Sequence, residues 1–345
     1  MEPMLERFPP WGFPAGWFAI RPSRQLVPKQ VEPVRYFGRD MVLYRTAGGS
    51  AHLVDRVCPH LGASLALGRV CGENLVCGMH GFEFSGEGRC VKLAYGTRPP
   101  PMARLTSYPV HEVNGFIFGH FSQDGASPTW KIEPLDWEGW TPLRHQRLEF
   151  ASQPQETTEN SVDIGHFNSV HHYTASVEQD PSLDAEKLTS AYRVVRPWFG
   201  RRLPRWHFEV QFRVLAHGLG YSLVHASVER TPISIRYFIN AIPIDGERMH
   251  MHIAAAVRTL GVPGLNRLLR EVVLLGLRHD VSQDIPFWES KHFLEKPLLA
   301  DGDGPIAIYR RWSRQFYATV PSRRRSSEVE SGRASRNWSS ESSSA

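Results

Sequence analysis

Two short loops constrain this chain more than any other feature: Cys58-Pro-His60-Leu-Gly-Ala and Cys77-Gly-Met-His80-Gly-Phe, with sixteen residues between His60 and Cys77. Each half supplies one thiol and one imidazole, side chains that bind metal through thiolate sulfur and neutral ring nitrogen. Two chemistries use such a set. A zinc ion takes all four ligands at tetrahedral corners, whereas a two-iron cluster divides them, two sulfurs to one iron and two nitrogens to the other. The first half separates its ligands by a single residue, closer than the spacing zinc fingers favour. Gly62, Gly78 and Gly81 suit tight loops whose backbone comes close to a cluster. The flanking segments read as strands rather than as a finger's helix, so the loops belong on a small all-β scaffold.

The remaining cysteines, Cys71 and Cys90, fall outside the motif and read as small core residues. Four cysteines within 33 residues would also suit a disulfide framework in a secreted protein. The start, MEPMLERFPPWGFPAG, lacks a basic region followed by an apolar run, so metal binding is the preferred reading. The net charge of +5 owes a share to the tail from Ser322, where five Arg face three Glu. The rest is spread along the chain without the dense clusters of a nucleic-acid binder, which excludes that partner class.

At 345 residues the chain exceeds what one core usually organises. Residues 15–125 read as short strands and turns, with Met41–Arg45 and His52–Val54 forming a hairpin across Ala47–Ser50. Phe82–Phe84 before Ser85–Gly88 is a further strand and turn, and Gly115–Gly119 is a buried strand. Residues 126–145 are the connection, and 146–320 form a second domain of mixed character. Residues 321–345, rich in Ser and Arg, are expected to be disordered. Within the second domain the segment from Glu156 to Tyr173 predicts a helix. Trp206–Val228 and Ile233–Ala256 predict strands, and Val262–Lys291 one long helix or two. Leu265, Leu268, Leu269, Val272 and Leu275 or Gly276 are expected to face the core, with shallow membrane contact as the alternative. No run approaches the roughly 18 apolar residues of a membrane span.

The second domain carries its own constellation. Asn160, Asp163 and His166 recur at steps of three and would share a helix face. His171 follows five residues after His166, which requires an irregular turn such as a π-type bulge for both imidazoles to meet one metal. His172 is an extra candidate. Two imidazoles and a carboxylate on one face of Fe(II) leave positions open for O2 and substrate. The carboxylate must come from elsewhere, and Asp280, Asp284, Asp301 and Asp303 compete for it.

Taken together, CPHLGA…CGMHGF and the N-x-x-D-x-x-H-x4-H run resemble the oxygenase components of Rieske non-haem iron oxygenases. The segment Phe287-Trp-Glu-Ser-Lys…Lys296-Pro-Leu-Leu…Arg310-Arg-Trp312-Ser-Arg-Gln-Phe-Tyr317 is similar to ketosteroid 9α-hydroxylases and cholesterol 7-desaturases. The resemblance implies one [2Fe–2S] Rieske cluster on Cys58, His60, Cys77 and His80, and one mononuclear Fe(II) on His166, His171 and Asp284. Asp163 and Asn160 would be catalytic. By that likeness Asp163 hydrogen-bonds an iron-ligating His and reaches the cluster of the next subunit in a ring-shaped homotrimer. The implied fold is α+β, an N-terminal all-β Rieske domain followed by a helix-grip (START-like) domain, an antiparallel sheet curved over a long helix. Asp301 and Asp303, in the sequence ADGDG, read as turn residues.

The implied activity is O2-dependent hydroxylation or desaturation of a bulky hydrophobic polycyclic substrate such as a steroid. Electrons would come from NAD(P)H through a ferredoxin or flavin reductase, in a bacterial cytoplasm or at the membrane periphery. A prenylated quinolone or similar aromatic, oxidised for example at nitrogen, is the alternative substrate. Trp198, Phe199, Tyr221, Tyr237 and Phe238 are expected around an apolar pocket. Where Rieske proteins of respiratory chains carry two further, paired cysteines, this chain has Ala63 and Gly78. The missing clamp favours a potential near the bottom of the roughly −150 to +300 mV Rieske range. Two readings from other classes stand beside this one. A Rieske electron-transfer ferredoxin would need only the first 125 residues, and a zinc-stabilised lipid-binding protein would be colourless.

Overall fold

The computed structural model describes residues 9–96, 98–201, 207–301 and 303–317; the Ser/Arg-rich segment 321–345 lies outside them. All strand pairs among the described residues are antiparallel. The first half holds β1 (Gly16–Pro22), β2 (Val31–Tyr36), β3 (Arg39–Arg45), β4 (Ala51–Asp55), β5 (Arg69–Cys71), β6 (Asn74–Val76), β7 (Glu83–Phe84), β8 (Cys90–Lys92), β9 (Ser107–Tyr108), β10 (Val110–Val113) and β11 (Phe116–Phe121). They pair in three small sheets, ordered β1-β11-β10, β2-β3-β4-β9 and β5-β6-β7-β8. The β3–β4 hairpin closes over 46–50 as its glycines predict, and β11 is buried along its whole length. One cysteine–histidine loop joins β4 to β5 and the other joins β6 to β7.

The second half is a seven-stranded sheet of β12 (Arg144–Ala151), β13 (Thr174–Asp184), β14 (Lys187–Arg201), β15 (His207–His217), β16 (Tyr221–Val228), β17 (Ser234–Pro243) and β18 (Arg248–Val257), ordered β12-β18-β17-β16-β15-β14-β13. Two short helices, α1 (Pro154–Glu159) and α2 (Gly165–Ser169), follow β12, a long helix α3 (Pro263–Ser290) lies on the sheet, and α4 (Ile306–Ser313) closes the described chain. Leu274, Val281 and Trp288 of α3 pack on Phe150, Met251 and Ile253, so the sheet grips the helix. The α+β architecture is therefore as the sequence reading has it.

Four local expectations fail. The single helix over 156–173 is two short helices separated by a turn at Asn160–Ile164. The phase of α3 is also different. Leu265, Leu268 and Leu275 are 47%, 61% and 59% exposed, whereas Leu269, Val272 and Gly276 turn to a cavity under the helix as expected, and Leu274, Val281 and Trp288 face the sheet. Apolar residues cover so much of this helix that periodicity alone does not choose the inner side. Tyr221 and Phe238 join a core with Trp17, Phe116 and Phe118 of the first half instead of lining a pocket. Cys71 is exposed and Cys90 half-buried, so neither is a fully buried core residue. The side chains of Trp198 and Phe199 lie outside those described.

The β13–β14 hairpin has no counterpart in the sequence reading, because β13 is exposed at most positions and shows little apolar patterning. The connection is packed, with Ile132 buried and Trp130, Leu135 and Trp137 against the same core. At this junction His145 Nε2 and His252 Nδ1 are 2.8 Å apart, and Tyr36 Oη lies 3.1 Å from His250 Nδ1. Burial lowers the pKa of His145 to about 4, aided by the nearby arginines, and holds His252 well below the usual histidine value.

Candidate active site

The two cysteine loops are one backbone design used twice. Cys58 N–H donates to the Ala63 carbonyl at 2.9 Å and Gly62 N–H returns to Cys58 O at 3.0 Å. Cys77 N–H likewise donates to Phe82 O at 2.9 Å and Gly81 N–H to Cys77 O at 3.0 Å. Gly62 and Gly81 adopt φ of 79° and 68°, left-handed values that favour glycine at both turns. Gly78 has a different reason. A Cβ there would stand 2.5 Å from the Leu67 carbonyl oxygen, so a cysteine at this position would displace backbone.

Cys58 and Cys77 are buried, and both are free thiols. Burial, reinforced by the adjoining Cys77 thiol, raises the Cys58 pKa to about 11, so its thiolate needs a bound cation. The His60 and His80 rings lie 4.7 Å apart, and Phe82 stacks on His60 at 4.3 Å. His60 Nδ1 is buried without a hydrogen-bond partner, whereas Nε2 lies 3.4 Å from the Tyr95 hydroxyl. A buried, orphaned ring nitrogen beside paired thiols fits a metal cluster. Among the described residues, these four do not gather about one point in the way a single zinc ion requires.

One group does gather so closely. A ligand atom from each of His166, His171 and Asp284 lies within 4.8 Å of the others. His166 sits in α2, and its Nδ1 hydrogen-bonds the Asp163 carbonyl at 2.5 Å. His171 lies beyond the helix end, where Tyr173 N–H reaches back to Phe167 O at 2.9 Å. This wide turn, rather than a bulge inside a continuous helix, carries the extra residue between the imidazoles. His171 Nδ1 hydrogen-bonds Gln283 Oε1 at 2.9 Å, leaving Nε2 3.3 Å from Asp284 Oδ1. With both Nδ1 atoms engaged as donors, both imidazoles offer Nε2 to a metal beside the carboxylate.

Asp163 stays outside the triad. Its Oδ1 accepts the His166 backbone N–H at 3.2 Å. Burial pushes its carboxyl up, but the hydrogen bonds and charge of His166 outweigh this and leave it lowered. For His171, burial works downward, and contacts with Asp284 and Gln283 carry its pKa above the usual value. Asn160 Nδ2 stands 3.5 Å from Asp284 Oδ2, at the outer limit of a hydrogen bond. His172 is exposed and directs Nδ1 at the Asn168 carbonyl. Asp280 instead meets Arg196 at 2.9 Å and Tyr173 at 2.8 Å, while Asp303 caps the backbone of Ala300.

Sequence reading misses Gln283, since a glutamine beside an acid carries no pattern of its own. It also misses the ionic group behind the site, in which buried carboxylates meet half-buried cations. Lys291, after α3, pairs with Glu156 and Glu159 of α1, and Arg310 of α4 reaches Glu159 at 2.7 Å. These contacts tie the helix bearing Asp284 to the segment leading into Asn160. In front of the triad, between sheet and α3, lies a cavity of about 890 Å³. Phe167, Val210, Phe212, Val224, Tyr237 and Leu277 supply apolar wall, and Arg196, Asp280 and Tyr173 form a polar corner.

Known proteins share this design. The Rieske [2Fe–2S] domain family matches residues 16–109, and the 3-ketosteroid 9α-hydroxylase C-terminal domain family matches residues 120–317. A cholesterol 7-desaturase of Xenopus laevis is 28% identical, covering 89% of this chain and 72% of its own. A 3-ketosteroid-9-alpha-monooxygenase oxygenase component of Rhodococcus rhodochrous is 26% identical, covering 96% and 93%. In fold, the chain is similar to dicamba monooxygenase bound to dicamba, with TM-score 0.69 and 18% identity over 87% of this chain and 96% of that one. The cofactors are one [2Fe–2S] Rieske cluster and one mononuclear iron, and the residues above fit both. The chain is an iron–sulfur monooxygenase and belongs to the Rieske oxygenases with a 3-ketosteroid 9α-hydroxylase C-terminal domain.

Proposed function

We propose that this enzyme hydroxylates or desaturates a steroid, using O2 and electrons from a ferredoxin or flavin reductase component. The observation that carries the reading is the largely apolar cavity of about 890 Å³ with His166, His171 and Asp284 in its wall, a size suited to a rigid polycyclic molecule. The printed activities of the relatives, on cholesterol and on 3-ketosteroids, support the same substrate class.

In this reading the cluster is held by Cys58, His60, Cys77 and His80 over residues 15–125, and the iron by His166, His171 and Asp284 over 146–320. When bound, these groups supply single-electron transfer and O2 activation. The protein's part is to hold and to exclude. Gln283 and the Asp163 carbonyl fix the two imidazoles, and Asn160 steadies the Asp284 carboxylate. The apolar walls keep water from the substrate, and Arg196 offers a hydrogen bond to an oxygen on it.

The proposed assembly is a homotrimer in which Asp163 meets the cluster histidine of the next subunit. Leu61, Met79 and Tyr95 are 66%, 61% and 53% exposed around the cluster loops, an apolar rim suited to being covered. Shallow membrane contact through the exposed Leu265, Leu268 and Leu275 would give an apolar substrate a short route to the cavity. Among the described residues no helix is long and apolar enough to cross a membrane.

The test is an absorption spectrum with iron and sulfide analysis, then turnover of cholesterol and a 3-ketosteroid with a surrogate reductase. About three irons and two sulfides per chain are expected, with oxidised steroid detected by mass spectrometry. A colourless zinc protein would overturn the metal assignment. A fully loaded enzyme that leaves both steroids unchanged would overturn the substrate.

A further inference from the structure

The sheet that forms the cavity has a second face. Val210, Phe212 and Val214 of β15 point into the cavity, so Gln211 and Arg213 project from the other side. Arg213 is paired directly with His225 of β16, and His225 with Arg236 of β17. Arg258 joins them after β18, its backbone N–H donating to Ser234 O at 2.9 Å. These side chains, with Trp140, Gln211, Ser227 and Ser234, line a depression of about 440 Å³.

Three arginines and a histidine in one concavity, two of the arginines flanking the histidine in register, is a costly arrangement without counter-charge. Arg213 and Arg258 make no ion pair among the described residues. Arg236 lies over the Trp140 ring at 4.2 Å and donates from Nη1 to the Asp136 carbonyl, yet its Nε is buried without a partner. Asp136 is the acidic group whose charge acts on Arg236, and burial together with Arg258 outweighs it, leaving that guanidinium's pKa lowered. Burial and the charges of Arg236 and Arg213 lower His225.

A neighbouring arginine on the same sheet is treated differently. Arg193 is met by Glu178, Glu209 and Glu229. Glu178, the carboxylate whose charge Arg213 feels, is taken by Arg193 and Gln211. The sheet therefore gathers three carboxylates around one arginine and leaves three other arginines facing a hollow.

We infer that this depression is a binding site for a small polyanion of the phosphate type, separate from the substrate cavity on the opposite face. Guanidinium groups match phosphate oxygens with paired N–H donors, and Ser227 and Ser234 supply neutral hydrogen bonds around them. Its concavity favours a compact anionic group over the flat acidic surface of a partner protein.

The test uses the holoenzyme and inorganic pyrophosphate, with thermal unfolding and calorimetric titration read against KCl at equal ionic strength. Pyrophosphate should raise the Tm and bind saturably, and the double variant R213Q/R258Q, which alters two exposed residues, should bind about tenfold more weakly or worse. Steroid turnover without added anion should be unchanged in that variant. Sedimentation with phosphatidylglycerol vesicles, lost in the variant, would identify a lipid headgroup as the anion's source. Binding in solution without sedimentation would identify a free phosphorylated molecule, and either result supports the site. A Tm rise that KCl reproduces, or equal pyrophosphate affinity in wild type and variant, overturns the inference. So does absence of pyrophosphate binding with a raised KM for the electron donor in the variant, which would make the arginines a protein-docking surface.

Discussion

The cluster loops and the iron triad solve the same problem, fixing side chains around a metal, by different means. The four proposed cluster ligands fall between positions 58 and 80, in two turns closed by their own backbone hydrogen bonds. The proposed iron ligands come from α2, the turn beyond it and α3, and the bond that orients His171 spans 112 positions to Gln283. A local design tolerates change in the rest of the fold but not in its own backbone. A long-range design depends on how helices are seated, here by the buried Glu156 and Glu159 and the half-buried Lys291 and Arg310 that meet them. The two sites should therefore fail independently and for different reasons.

The largest effect expected is a clean separation of the two. Asp284→Ala should remove the mononuclear iron and all turnover while sulfide content and the visible spectrum stay intact. Cys77→Ser should do the reverse to the cluster. Loss of both metals in either variant, by iron and sulfide analysis, would contradict their independence. Asp163→Ala comes next. Both metals should stay, yet turnover should be nearly abolished, because the residue that supports His166 and faces the proposed subunit contact is gone. Retained coupled activity would sink that role.

Gln283→Leu sharpens the comparison without touching a ligand. Freeing His171 Nδ1 should weaken iron binding about 10- to 100-fold, measured by chelator competition, with the cluster unaffected. The smallest effect concerns the junction between the halves. His145 is held neutral with a pKa of about 4, whereas an unfolded histidine titrates near ~6.5. The unfolded chain therefore binds a proton that the folded chain refuses. Stability should be full above ~6.5 and fall as pH drops toward 4, by roughly 2–3 kcal/mol from this group. His145→Gln should flatten that acid limb in urea melts at pH 7 and pH 5, and an unchanged slope would show that other groups set it.

The cluster half and the iron half also differ in how legible they were. The loop motif, the hairpin over 46–50 and the buried strand at 116–121 are local patterns, and the fold class followed from them and from the resemblance. Asn160, Asp163, His166 and His171 stand out by spacing, although the single helix that spacing predicts is broken in two. Gln283 and Lys291 did not stand out, because their importance lies in what they touch.

By itself the sequence determined which residue types could bind metal, that they fall into two sets, and that one set sits in glycine-bounded loops. These follow from side-chain chemistry and short-range backbone geometry. Only the tertiary structure decided the rest. It brought Asp284 rather than Asp280 to the histidines and turned Leu265, Leu268 and Leu275 outward. It sent Tyr221 and Phe238 to the junction core and set Arg213, His225, Arg236 and Arg258 around one hollow. The physical reason is that register and helix phase are fixed by the sum of many weak contacts between distant segments, and no single segment carries that sum.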